Sequence, residues 1–210
     1  MSIGIWIGAL LAYGAFRLWY DGLRGPLTSS EIEAFMAMLK QRTVEEDGQD
    51  INAVLHKFME EDDGKEFIMV NMVQFNPSPV KHPDTGEDIG APRLLQEYFV
   101  PLMKSFIRRA GHPVFSGQVV GGYMDAWNTP EDPGWHVAGL IRYRSRRDAM
   151  EATLASSMFD GIHKYKIAAI KQTFAVPTKV VAGGLYASPR VTVGLLLALA
   201  AALLQIILAG

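Results

Sequence analysis

The chain contains no cysteine among its 210 residues. That excludes a disulfide framework, a cysteine-ligated zinc or iron–sulfur site and a thiol nucleophile. A surplus of positive charge is also missing: 20 Lys and Arg stand against 22 Asp and Glu, for a formal net charge of −2. A nucleic-acid binder carries a basic footprint, and this chain has none. The histidines His56, His82, His112, His136 and His163 lack HxxxH or HExxH spacing, so no metal site is expected. There is no phosphate loop, no GxSxG and no dinucleotide fingerprint; Gly117, Gly121 and Gly122 lie in a strand-like run with no helix behind them. No cofactor is implied. At this length one main domain is the default.

What the chain does have is apolar sequence at both ends, which accounts for its positive mean hydropathy of +0.11. Residues 1–16 carry no charged side chain, and the apolar run extends through Arg17 to Trp19 and Tyr20. A helix from Ile3 to Tyr20 rises about 27 Å, close to the thickness of a hydrocarbon core. Residues 191–210 are uncharged throughout, with Gln205 near the far end. Two membrane spans are expected. Trp19 and Tyr20 read as an interfacial aromatic belt, and the first run lacks the basic start and small-residue cleavage site of a signal peptide. Arg17 and Arg24 follow the first span, and Lys179 and Arg190 precede the second. This asymmetry places the middle of the chain in the cytoplasm, and a bacterial inner membrane is the expected location. Gly4, Gly8 and Ala12 in the first span, and Gly194, Ala198 and Ala202 in the second, form stripes of small residues suited to helix–helix contact in lipid.

Four segments follow: a span at residues 1–24, an acidic amphipathic helical stretch at 25–64, an α+β domain at 65–180 and a second span at 181–210. In the acidic stretch, Ser30 and Glu33 are placed as a capping box for a helix carrying Ile32, Phe35, Met36 and Leu39. Asp50 is placed to cap a second helix with Ile51, Val54, Leu55, Phe58 and Met59 on one face. Glu45, Glu46 and Asp47, and Glu60 to Asp63, lack the alternation of a calcium loop and read as solvated helix ends. The domain begins with the strand Phe67 to Phe75, apolar on both faces except for Asn71. A Pro- and Gly-rich loop at 76–91 leads to a helix over 92–109, bent at Pro101. Strands are expected over 114–127 and 135–143, then helices over 146–155 and 158–171, and a short strand over 173–176. The resulting order, β-α-β-β-α-β, is the ferredoxin-like arrangement.

Residues 65–179 resemble the DUF1330 family, ferredoxin-like proteins within the wider dimeric α+β-barrel group. The resemblance is carried by Met69-Val70-Asn71-Met72, Tyr98, Ala110-Gly111-His112 and Gly117. Its most specific part is Leu140-Ile141-Arg142-Tyr143-Arg144-Ser145-Arg146, followed by Phe159, Lys166, Ala168 and Ala169 in the last helix. The chain departs from the family pattern at Arg144, where a proline is usual. It also departs at His112, where Gly-Gly-Arg is frequent, and at Tyr165-Lys166, where a His-Arg pair is common. The resemblance implies a fold and a homodimer packed through the sheet face, not a reaction.

Strand alternation selects the candidate site residues. Asn71, Tyr123, Trp135 and Tyr143 are expected to gather in a cavity between sheet and helices. His136 with Asp125 has the composition of a general-base couple, and Asp125 with Arg142 that of a cross-strand ion pair; these are weak catalytic candidates, and whether the chain is an enzyme stays open. Arg142, Arg144, Arg146 and Arg147 form a basic cluster, read as a solvated corner or as a site for anions or lipid head groups. Two functions are expected. The first is a membrane-anchored accessory or assembly subunit of a larger membrane complex. The alternative is a membrane-tethered enzyme or binding protein for a small apolar molecule, which a deep pocket lined by Asn71 and aromatic side chains would favour.

Overall fold

The structure is a computed structural model and describes residues 2–40, 51–154, 157–182 and 188–209. The elements in chain order are α1 Ser2–Asp21, α2 Ser29–Lys40, α3 Ile51–Glu60, β1 Phe67–Phe75, β2 Val80–Lys81, β3 Asp88–Ile89 and α4 Ala91–Arg108. They continue with β4 His112–Gln118, β5 Val137–Tyr143, α5 Arg146–Leu154, α6 Ser157–Ala169, β6 Ile170–Thr178 and α7 Arg190–Ala209. The expected cap at Asp50, the acidic run Glu45 to Asp47 and the helix break at Ser156 lie outside the described residues. Two compact units result: Met1–Arg24 with Val180–Gly210, and Gly25–Lys179.

In the first unit α1 and α7 pack antiparallel. Contacts at three levels tie them: the Trp6 indole donates to Gln205 Oε1 at 2.7 Å, the Tyr13 ring lies over Gly194, and Arg190 meets Asp21 at 2.6 Å and covers the Tyr20 ring. Trp6 to Asp21 and Arg190 to Gln205 each span about 22 Å of helix, so the contacts keep register along the pair. Both helices are long and apolar enough to cross a membrane, and only 6% of each apolar window is buried.

In the second unit the sheet order is β4-β5-β1-β6, antiparallel throughout. β1 is central and pairs Asn71 with Gly139 on one side and with Ala175 on the other. β6 is an edge strand, which is why it accommodates Pro177. Tyr98, Leu102, Met103 and Phe106 of α4 pack with Ile141 and Ala152 in the main core. A second core joins α2 and α3 to α5 through Ile32, Phe35, Met59, Met150 and Leu154.

Four expectations about the elements need correction. The capping box of α2 is Thr28 with Glu31, not Ser30 with Glu33. The Thr28 amide donates to Glu31 Oε2 at 2.9 Å, and the Glu31 amide donates to Thr28 Oγ1 at 3.4 Å. The stretch 76–91 is not wholly loop, because β2 and β3 pair Val80 with Ile89. The strand expected over 114–127 ends at Gln118. Residues 119–136 form an irregular excursion, closed by Asp132, whose carboxylate accepts the amides of Tyr123 and Gly134 at 2.9 Å each. The last strand is longer than residues 173–176, running from Ile170 to Thr178.

Candidate ligand cavity

The side chains on one face of β1 and β5 are set by pairing: Met69 opposite Ile141, Asn71 opposite Gly139, Val73 opposite Val137. Over this face lie Leu95, Tyr98, Phe99, Leu102 and Phe106 of α4. Between the two layers is a cavity of about 560 Å³, lined mostly by apolar atoms. Gly139 explains part of it. A Cβ built there meets nothing within 4 Å, so the missing side chain leaves open space in the middle of the sheet. Glycine inside a strand often marks a close approach by another group.

Polar atoms in the lining are few. The Asn71 Nδ2 donates to the carbonyls of Met69 at 3.0 Å and Gly139 at 3.4 Å. Carbonyls only accept, so this fixes the amide's orientation and leaves Oδ1 as the acceptor that Asn71 offers. Tyr143 stacks on Phe67 with centroids 4.9 Å apart and meets Phe106 edge-on at the same distance. Burial pushes its phenol well above the ordinary range, so it stays neutral. Its hydroxyl has no hydrogen-bond partner among the described residues. Among the described residues Lys166 is the one charged side chain in the lining, and it already has a partner within the protein.

The four expected cavity residues separate into two pairs. Asn71 and Tyr143 line the cavity; Tyr123 and Trp135 do not. The Trp135 indole donates to the Tyr123 hydroxyl at 3.2 Å, and its ring meets Phe174 edge-on at 5.2 Å. Gly139 and the roof residue Phe99 were not singled out from sequence, although a lone glycine within Val137–Tyr143 was a signal for the first.

The catalytic candidates do not meet. Asp125 is exposed in the excursion after β4. His136 is exposed and precedes β5, and its Nδ1 accepts the Phe75 amide at 3.2 Å. Arg142, 1% exposed, pairs with Glu66 at 2.7 Å rather than with Asp125, and donates to the Ala110 carbonyl at 2.7 Å. That carbonyl belongs to a residue in the left-handed region, φ 56°, so Arg142 holds a strained corner in place.

The basic cluster proves to be internal. Arg144 binds Asp148 at 2.5 Å, which also accepts from the Ser145 hydroxyl at 2.6 Å. Arg146 donates to the Phe58 carbonyl at 2.5 Å and covers the Phe58 ring. Arg147 pairs with Glu31 and donates to the carbonyls of Gly25 and Pro26. Arg144, Arg146 and Arg147 join the end of β5, α3 and the start of α2 to α5, and Arg142 ties β5 to Glu66 and Ala110.

The β2–β3 hairpin is pinned beside the cavity's helices. Asp84 binds Lys164 and accepts from the Tyr165 hydroxyl at 2.5 Å. The Lys164 ammonium and the Tyr165 hydroxyl hold its carboxyl below the usual carboxylate range. His82 Nδ1 accepts the amides of Asp84 and Thr85, so its Nε2 carries the proton that faces Glu97 at 3.0 Å.

Among the small-residue stripes, Gly194 lies against Tyr13, a Cβ there falling 3.3 Å from the ring. Ala198 and Ala202 are half-buried on the same face of α7, whereas Gly4, Gly8 and Ala12 are exposed on α1. A Cβ at Gly4 or Gly8 meets nothing within 4 Å.

No family profile matches the chain, and no curated protein matches it either. Among solved structures it is similar to RPA0582 of Rhodopseudomonas palustris, a structural-genomics protein of unknown function. The identity is 20% and the TM-score 0.52, over 65% of this chain and 96% of that one. The methylated form of RPA0582 matches at 18% identity and a TM-score of 0.52, over 68% and 99%. At such identities the likeness is one of fold alone: a mixed α+β chain with a four-stranded antiparallel sheet and helices.

Proposed function

We propose that this chain is a membrane-attached binding protein for a small apolar molecule, held in the cavity between the sheet and α4. The observation that carries this reading is the cavity itself. Its volume of about 560 Å³ falls in the range of small-molecule sites, and its apolar walls with a few polar points match their usual composition. A domain serving only as scaffold has no need of such a space between sheet and helix, since close packing there would bury more apolar surface. The architecture we infer is ferredoxin-like with a DUF1330-type domain facing the cytoplasm, and α1 and α7 spanning the membrane. The low burial of those two helices supports the spans. A reporter inserted at Gly86 is expected to read as cytoplasmic, and one fused after the last residue as external.

The test is saturable binding of 1-methylnaphthalene to the full chain in lipid nanodiscs, against empty nanodiscs. Wild type is expected to bind one equivalent. Gly139→Leu, which places a side chain in open space without strain at φ, is expected to fold and to lose binding. Equal uptake by the two proteins would overturn the proposal.

Two further surfaces support partners. The sheet face away from α4 carries Val70, Met72, Leu140, Phe174 and Val176 by register, with Phe174 and Val176 exposed; a second copy against it would form the homodimer. The outward stripe of Gly4, Gly8 and Ala12 favours a second role beside the first, docking α1 against a helix of a larger membrane complex. Gly8→Leu is expected to release such a partner during purification from native membranes while leaving naphthalene binding unchanged.

A further inference from the structure

We propose that the cavity selects neutral apolar molecules that carry one hydrogen-bond donor, an alcohol or its equivalent, set on Asn71 Oδ1 above Gly139. The inference rests on the binding reading and adds the ligand's chemistry to it. Asn71 is the central polar residue of an otherwise apolar strand face, and both of its recorded hydrogen bonds use Nδ2. A cavity that wanted only hydrocarbon would gain by an apolar residue at this position, because a polar acceptor without a partner in an apolar wall is costly. Asn71 lines the cavity opposite Gly139, where a Cβ would meet nothing within 4 Å, so a ligand atom beside the pair meets no clash. Gln96 and Ser116 of the lining are exposed to solvent, but another lining oxygen without a partner among the described residues, the Tyr143 hydroxyl, lies on the same sheet face four residues beyond Gly139 along β5. It can accept or donate, and it suits a hydroxyl-bearing or carbonyl-bearing far end of an elongated ligand. A carboxylate is disfavoured: it would face Asn71 Oδ1 acceptor to acceptor. Lys166 of the lining, a cation, is already engaged.

The experiment compares three probes of one shape in nanodiscs holding the full chain, with free aqueous concentrations fixed by dialysis. The probes are 1-naphthalenemethanol, 1-methylnaphthalene and 1-naphthoate. The alcohol is expected to bind about tenfold more tightly than the methyl compound, the effect of one well-placed hydrogen bond in an apolar site. Naphthoate is expected to bind more weakly than the alcohol. In Asn71→Leu the preference for the alcohol is expected to vanish while methylnaphthalene still binds, which also reports that the variant has folded. If Asn71→Leu fails to fold, the wild-type ratio of alcohol to methyl compound decides alone. Equal binding of those two by wild type overturns the inference and leaves the binding reading standing. Tightest binding by naphthoate also overturns it and assigns selection to Lys166. Binding of none of the three removes the binding reading and the inference together.

Discussion

The two ends of the sheet–helix interface treat polar groups in opposite ways. At the α5 end, Arg142, Arg144, Arg146 and Arg147 each meet a carboxylate or a backbone carbonyl. Buried charge there is balanced inside the molecule, as burial demands. At the cavity, Asn71 and Tyr143 sit among mostly apolar walls, each with an oxygen that has no hydrogen-bond partner among the described residues. The difference separates paired groups that tie elements together from polar oxygens beside open space, which under the proposed function are the ones offered to a ligand. Strand alternation along the sequence places Asn71 and Tyr143 in a cavity as well, but the arginines read there as a solvated corner or an anion site, whereas they are paired within the protein.

The largest expected effect of breaking this contrast is at Arg142. Arg142→Ala strands Glu66 and the Ala110 carbonyl, whose residue holds a left-handed backbone. A loss of about 3 kcal/mol is expected, the lower end for a broken buried pair because Glu66 keeps partial access to solvent. Denaturant unfolding of the full chain in detergent, followed by far-UV circular dichroism, measures it. Glu31→Gln weakens both the α2 cap and the Arg147 pair, and a loss of roughly 1 kcal/mol is expected by the same method. Tyr143→Phe sharpens the other side. Its hydroxyl has no partner among the described residues, so removing it is expected to change stability by less than about 0.5 kcal/mol; a loss of several kcal/mol would mean that the oxygen is saturated.

The smallest effect is the pH dependence of the β2–β3 pin. The Asp84 carboxyl is held below its ordinary value by Lys164 and Tyr165. A depressed carboxyl contributes stability that is complete above its unfolded pKa, about 4, and fades as pH falls through the lower folded value. The melting-temperature gap between wild type and Asp84→Asn is therefore expected to be constant above about pH 4 and to close below it. Added salt is expected to narrow the gap, since the group is exposed.

The local elements were legible because their signals are local. The uncharged ends became α1 and α7, and the apolar run Phe67–Phe75 became β1 without change of boundary. The run after Gln118 misled because Val119, Tyr123 and Trp127 carry strand preferences, while the device that makes it a loop is one carboxylate, Asp132, binding two amides. Ion-pair partners were hidden by distance along the chain: Glu66 lies 76 residues from Arg142, and Glu31 lies 116 from Arg147. The cavity was the least legible feature, since a void depends on how layers fail to fill space. Its one local trace was Gly139, opposite Asn71 in the register; Tyr123 and Trp135 miss the cavity because both lie in the irregular stretch between β4 and β5.

The most direct measurement is mass spectrometry of the chain released from native membranes in mild detergent, with the small molecules freed by denaturing it, for wild type and Gly139→Leu side by side. The expected result is one apolar molecule near one equivalent in wild type and missing from the variant. Identical extracts from the two proteins, with no small molecule tied to the open space at Gly139, would contradict ligand binding in the cavity.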